Sequence, residues 1–109
     1  MKKYLIALML LQAGLALADD AVILKLTSTD GVLEPLTLEA PAGKAITLVI
    51  INAGKSAMEF ESKPLKIEKV VAAGKTKEIK IQALAAGSYK FVDEFHETQP
   101  SAQGTLLIK

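Results

Sequence analysis

Gly87-Ser-Tyr-Lys-Phe-Val-Asp-Glu-Phe-His96, then Gly104-Thr-Leu-Leu-Ile-Lys109 after a short loop, is the stretch on which the fold turns. Ala85-Ala86-Gly87 reads as a turn and Tyr89-Lys-Phe-Val92 as the strand entered from it. Gly104 to Lys109 reads as the strand that closes the domain. The loop between them carries the only histidine of the chain, three residues after Asp93.

The same grammar runs upstream. Val22-Ile-Leu-Lys-Leu-Thr27 is a first strand, and Leu36-Thr-Leu-Glu39 a second, closed by Ala40-Pro41-Ala42-Gly43. Ala45-Ile-Thr-Leu-Val-Ile-Ile-Asn52 is almost continuously apolar and rich in β-branched residues, which predicts a central strand ended by Asn52-Ala53-Gly54. Met58-Glu-Phe-Glu61 alternates and predicts a short strand or an edge. Leu65 to Val71 and Thr76 to Gln82 alternate with the same period of two, separated by Ala72-Ala73-Gly74. Helix signals are weak, and there is no internal repeat, linker or low-complexity tract. Seven or eight short strands at this spacing predict an all-β fold, an antiparallel Greek-key β-sandwich.

The N-terminus has a different logic. Lys2 and Lys3 precede an apolar run from Tyr4 to Ala18, which ends in Ala16-Leu17-Ala18 just before Asp19-Asp20. A basic head, an apolar middle and an A-x-A exit predict a cleavable signal peptide over residues 1–18. The mature domain, 19–109, is then periplasmic, or in an equivalent extracytoplasmic space. An uncleaved anchor is the alternative, but the run is short for a span of ~20 residues.

About 90 residues make one domain with one modest core. After residue 18 the chain has eleven lysines against twelve acidic residues, a net charge of −1, and no arginine anywhere. Near-neutral charge without a guanidinium argues against a nucleic-acid partner. The absence of cysteine removes disulfides and all thiolate chemistry. Lys63, Lys66, Lys69, Lys75, Lys77 and Lys80 predict a solvated face, or one that meets an acidic partner or a membrane surface.

Three stretches together resemble the cupredoxins. Gly87-Ser-Tyr89-Lys-Phe91-Val-Asp93-Glu-Phe-His96 with Gly104-Thr-Leu-Leu-Ile108 follows their closing pattern, G-x-Y-x-F-x-C-x-x-H and then G-x-L-x-V. Asn52-Ala-Gly-Lys-Ser-Ala-Met58-Glu-Phe60 resembles their N-x-G turn and the segment that bears the first copper histidine. Pro41-Ala-Gly43 and Val71-Ala-Ala-Gly74 fall where the family places two further turns. The resemblance implies a cupredoxin-like sandwich over nearly the whole mature chain.

Carried over position by position, the copper site is broken. Asp93 stands in the cysteine place, His96 keeps the second histidine place, and Ala102 stands in the methionine place. The first histidine place falls on Met58 or Glu59. Blue copper needs a soft thiolate, so electron transfer through such a centre is excluded. Asp93, His96, Glu59 and Glu61 are instead the expected ligands of one divalent ion. Glu59 and Glu61 lie two apart on one face of a strand, and carboxylates with one imidazole suit iron(II), manganese, zinc or copper(II). Met58 is a further soft contact, although it shares with Phe60 the opposite, core-packing face. Glu68 and Glu94 are second-tier candidates. The plain alternatives are solvated glutamates on an edge strand and an aspartate that caps its turn.

A narrower resemblance is carried by Ala57-Met-Glu-Phe-Glu61, Leu65-Lys-Ile-Glu68-Lys and Phe91-Val-Asp93-Glu94-Phe95-His96. These look like the cysteine-poor cupredoxin-like proteins encoded with Ftr- and Efe-type ferrous-iron uptake systems. That implies a periplasmic protein handling iron or copper for a membrane iron permease and other components of periplasmic iron uptake, with a part in iron(II) oxidation left open. Enzymatic catalysis finds no other support: no Ser-His-Asp arrangement, phosphate loop or nucleotide fingerprint is legible. The alternative is a metal-free cupredoxin-fold module for protein interaction. A homodimer that completes the site across its interface stays open.

Overall fold

The computed structural model describes residues 21–109, so the expected signal peptide lies outside the described residues. The apolar run becomes β4 (Ile46–Asn52), and it is central, as expected. On one side it runs parallel to β1 (Val22–Thr29), from Val22 opposite Ile46 to Ser28 opposite Asn52. On the other it is antiparallel to β7 (Thr76–Ile81). Two flanking strands explain its composition: Ile46, Leu48 and Ile50 enter the core, and Val49 and Ile51 are half-buried behind them. β2 (Val32–Glu34) extends this sheet, in the order β2-β1-β4-β7.

The second sheet holds β3 (Thr37–Ala40), β5 (Met58–Ser62), β6 (Ile67–Val71), β8 (Gly87–Asp93) and β9 (Gln103–Ile108), in the order β3-β9-β8-β5-β6. Between β8 and β9 lie two short 3-10 helices, Glu94–His96 and Pro100–Ala102. The two sheets face each other as an all-β sandwich. No helix among the described residues is long and apolar enough to cross a membrane.

Three expectations change. The sandwich is not purely antiparallel, because β1 pairs with β4, and β3 with β9, in parallel. After β2 the chain crosses to the second sheet as β3 and returns as β4 beside β1 in the same sense. Periodicity reports faces and carries no strand direction. β2 itself was not expected; Asp30-Gly31, at φ 48° and 89°, turns β1 into it. Both residues have the positive φ that a tight hairpin turn asks for. Finally, of the two readings of Met58–Glu61 the short strand holds and the edge does not, since β5 (Met58–Ser62) lies between β8 and β6.

The core sits between the sheets. Leu26, Ile46, Leu48 and Ile50 meet Leu38, Phe60, Phe91, Leu106 and Ile108. The rings of Phe60 and Phe91 stack with centroids 5.3 Å apart and planes 29° apart. These two rings lie just below the end of β5 and β8 where the candidate ligands gather.

Candidate metal centre

The site is built where three loops meet. Asn52, at the end of β4, is buried and fully used. Its amide nitrogen donates to the carbonyls of Val71 and Ser56, each at 3.0 Å, and its Oδ1 accepts the N–H of Gly54 at 3.0 Å. This shapes the loop of residues 53–57 that leads into β5. Asp30, in the β1–β2 hairpin, grips the same loop. Its Oδ1 accepts the N–H groups of Lys55 and Ser56 at 2.9 and 3.0 Å, and the Ser56 hydroxyl at 2.8 Å. These bonds, the Ser56 hydroxyl first, hold the Asp30 carboxyl below its ordinary range.

Asp93 ends β8 opposite Phe60, hence on the core face, with 0% of its surface exposed. Its Oδ1 accepts the backbone N–H of Glu59 at 3.0 Å and of Phe95 at 3.2 Å. The second bond caps the 3-10 helix, so the expected turn-capping role is present. Its Oδ2 lies 2.7 Å from Nδ1 of His96, whose side chain is 19% exposed. On the far side of the ring, Nε2 lies 3.3 Å from Ser56 Oγ.

Glu59 and Glu61 point to the outer face of the sheet, and the 3-10 turn after Asp93 brings Glu94 beside them. Carboxylate oxygens of Glu59, Glu61 and Glu94 all lie within 4.8 Å of one another. A hydrogen bond shared with Glu94, followed by desolvation, pushes the Glu61 carboxyl above its ordinary value. Glu68 stands directly opposite Glu61 across β5 and β6.

The structure thus sorts the expected ligands into two neighbouring groups. Glu59 and Glu61 join Glu94, which was second-tier from sequence, while Asp93 and His96 join each other. Met58 is 1% exposed, paired with Val71, and packs in the core with Phe60. Ala102, in the methionine place, is fully buried. Sequence reasoning missed Asp30 and Ser56. The Asp30-Gly31 pair is a hairpin-turn signal that went unread, and nothing in the sequence marks what its carboxylate would hold. Serine, histidine and aspartate do line up here, as Ser56, His96 and Asp93, against the reading that no such arrangement exists. The Ser56 hydroxyl, however, has a closer acceptor in Asp30 Oδ1 at 2.8 Å than in the imidazole at 3.3 Å, so it is poorly set up as a nucleophile.

A blue-copper centre does not fit these donors. The chain has no cysteine and one histidine, and a carboxylate whose oxygens are already engaged stands where a thiolate would be needed. A hard or borderline ion, bound by oxygen with at most one imidazole, fits the chemistry of the donors present.

Comparison with known proteins agrees on the fold. An uncharacterized protein of Rickettsia prowazekii (strain Madrid E) is 33% identical over 90 residues, which cover 83% of this chain and 70% of the relative. Among solved structures, auracyanin A, a blue copper protein of Chloroflexus aurantiacus, superposes with a TM-score of 0.68 at 15% identity, covering 82% of this chain and 99% of that one. The metal-binding domain of the Cu(I)-exporting P-type ATPase of Streptococcus pneumoniae D39 superposes with a TM-score of 0.72 at 13% identity, covering 84% and 88%. A purple cupredoxin of Nitrosopumilus maritimus gives 0.58 at 19% identity, covering 78% and 98%. At these identities the likeness is one of fold. The model of the cupredoxin-like domain family matches residues 3–108, nearly the whole chain, and the protein belongs to that family.

Proposed function

We propose that this protein is a periplasmic, cysteine-free cupredoxin-like accessory of a ferrous-iron permease, and that it binds a divalent ion, iron before copper. The observation that carries this reading is the convergence of Glu59, Glu61 and Glu94 within 4.8 Å. Three carboxylates from two segments share one face, with Glu68 opposite and no ion pair to Lys, Arg or His among the described residues. Like charges directly opposed in a sheet cost stability, and a bound cation would remove that cost. Oxygen-only donors are hard ligands that suit a divalent ion and not copper(I), and iron is placed before copper on the segments shared with iron-uptake proteins. Asp93 and His96 form a separate group, joined to this cluster in the chain through Glu94, and lie outside the three-carboxylate site. The N-terminal Lys2–Ala18 pattern supports export, and the segments shared with iron-uptake proteins support the permease as partner.

The test is anaerobic titration of the metal-free protein with iron(II), against manganese, zinc and copper(II), by calorimetry and NMR. One equivalent of iron(II) should bind, and Glu61→Gln with Glu94→Gln should abolish binding. In cells, deletion should slow iron uptake, and the double variant should fail to restore it. A variant without metal binding that restores uptake fully would sink the reading.

A metal-free interaction module is the second reading. It is favoured by the closure of Asp93 on His96, which spends both carboxylate oxygens inside the protein, and by Phe95, 53% exposed beside them. Retention of uptake by the His96→Ala, Asp93→Ala double variant, with no metal bound, would leave this reading standing.

A further inference from the structure

β6 and β7 are edge strands of the two sheets, and the turn of residues 72–75 joins them, so both edges lie on one side of the sandwich. Lysines occupy inward-facing positions on both. Lys69 stands opposite the core residue Phe60, two residues before the buried Val71. Lys77 stands opposite the core residue Ile50, two residues before the buried Ile79. A period of two would put apolar side chains at both places, yet both lysines are exposed. Their stems can cover the open side of the core while the ammonium groups reach water. Inward-pointing charge on an edge strand also keeps other strands from pairing there, which explains one lysine on each strand.

Edge protection does not explain Lys75. It sits in the turn, outside both strands, where its N–H donates to the Ala72 carbonyl at 3.1 Å and its carbonyl accepts the N–H of Asn52 at 2.9 Å. These bonds fix the turn and hold a third lysine at the same end of the margin. The segment from Lys69 to Lys77 contains these three lysines and no acid. Glu68 and Glu78, the acids that flank it, stand opposite Glu61 and Val49 on the outer faces of their sheets. None of the three lysines makes an ion pair among the described residues, whereas Lys80 pairs with Glu78 and Lys109 with Glu39. The apex between them is small: Ala72, Ala73 and Gly74 are exposed, and a Cβ on Gly74 would meet nothing within 4 Å. A small, open apex flanked by unpaired lysines lets all three approach a flat surface together.

We infer that this margin, with Lys69, Lys75 and Lys77 around the 72–75 turn, docks on an anionic lipid surface. The class of partner follows from the residue types. Protein interfaces are built round aromatic and arginine anchors and are poor in lysine. The margin offers neither anchor, since residues 69–77 contain no aromatic residue and the chain no arginine. Lysine is a compact charge on a flexible stem, which suits headgroup phosphates spread over a plane without fixed positions. Each lysine near such a surface strengthens attachment about fivefold, and the attraction fades within a Debye length. Docking of this kind needs no metal and does not depend on the Glu59, Glu61 and Glu94 cluster.

Vesicle flotation of residues 19–109, in which both sheets and the core lie, tests this with metal chelated. Wild type should float with equimolar phosphatidylglycerol–phosphatidylcholine vesicles at low salt, and high salt should release it. It should not float with phosphatidylcholine alone. Lys69→Gln with Lys77→Gln should weaken attachment about 25-fold. Lys25→Gln with Lys90→Gln removes the same charge from the outer faces of the two sheets and should change attachment by no more than about twofold. Lys75→Gln alone should weaken it about fivefold, and gives an independent reading if the double variant misfolds. The inference is overturned if wild type treats anionic and neutral vesicles alike, or if the folded margin variants float as wild type does. An outer-face pair that matters as much as the margin pair would overturn it too, leaving net charge alone as the cause. So would capture by polyglutamate without flotation, which would assign the margin to an acidic protein.

Discussion

Glu61 and Glu68 stand directly opposite each other across β5 and β6, and Glu94 reaches Glu61 from the turn after β8 to share a hydrogen bond with it. Directly opposed like charges oppose sheet pairing, whereas opposite charges support it. Lysines are plentiful nearby, at Lys63, Lys66 and Lys69, yet none forms an ion pair with these acids. The proposed cation would offset this repulsion, and the pairing of these acids makes the proposal testable without metal as well.

The raised Glu61 carboxyl makes this a pH-dependent statement. An acid whose folded-state pKa lies above its unfolded value adds stability at low pH, where the shared proton is present. That contribution is lost as the pH rises through the folded pKa. Glu61→Gln should therefore raise the Tm at pH 7, without metal, by about 1–3 °C. The gain should vanish near pH 4, where the wild-type carboxyl carries its own proton. Thermal melts at the two pH values, with metal excluded, measure both. Equal Tm at pH 7 would mean that the repulsion is already relieved in the wild type.

The buried Asp93 is the joint between the β4–β5 and β8–β9 loops. Asp93→Ala strands the N–H groups of Glu59 and Phe95 and leaves Nδ1 of His96 without its acceptor. Removing one partner from a buried charged network costs about 3–4 kcal/mol. Asp93→Asn keeps an acceptor oxygen for the two N–H groups and turns its amide toward Nδ1, which should then lose its proton and accept. Its cost should be nearer ~1–2 kcal/mol. Urea unfolding gives the two costs, and ring ¹⁵N shifts report the tautomer change.

Asn52 explains one of the motifs on which the family resemblance rested. Its side chain makes three bonds in the interior, two by donating to carbonyls and one by accepting from Gly54. Asn52→Ala should cost about 2–3 kcal/mol through those orphaned groups. Asn52→Asp should cost more, since a carboxylate would face the Val71 and Ser56 carbonyls. Denaturant midpoints rank the two variants, and an aspartate as stable as wild type would refute the assigned donor roles.

The faces of the strands were legible, and their neighbours were not. Met58 and Phe60 turn inward and Glu59 and Glu61 outward, as a period of two requires, and the β4 run announced a strand covered on both sides. A period carries no information on which strand lies alongside, so β5 read as either a short strand or an edge. β2 escaped because three residues with one core side chain, Leu33, show no period at all. Within the site, Glu94 joins Glu59 and Glu61 only because a 3-10 turn, capped by Asp93, swings it onto the outer face. Asp30 and Ser56 meet His96 from two other loops, separated in sequence by 26 residues from each other and 40 from Ser56 to His96. No local pattern encodes such a meeting.

Gly104 was legible as a motif residue, and the structure supplies its physical reason. A Cβ on Gly104 would lie 2.5 Å from the Phe91 ring and 2.7 Å from the Leu36 carbonyl oxygen. That carbonyl accepts the N–H of Thr105, so it cannot swing away without loosening β9 where it begins. The Phe91 ring cannot yield freely either, since it stacks on Phe60. Gly104→Ala should therefore cost about 2–3 kcal/mol as an overpacking change. Gly74→Ala makes a contrasting control, because a Cβ there meets nothing within 4 Å and the strain comes only from its φ of 74°. The diagnostic is a double-mutant cycle with Phe91→Leu, which frees space beside the glycine. If the ring is the obstacle, Gly104→Ala should cost clearly less in the Phe91→Leu background, and an undiminished cost would assign the obstacle to the Leu36 carbonyl alone.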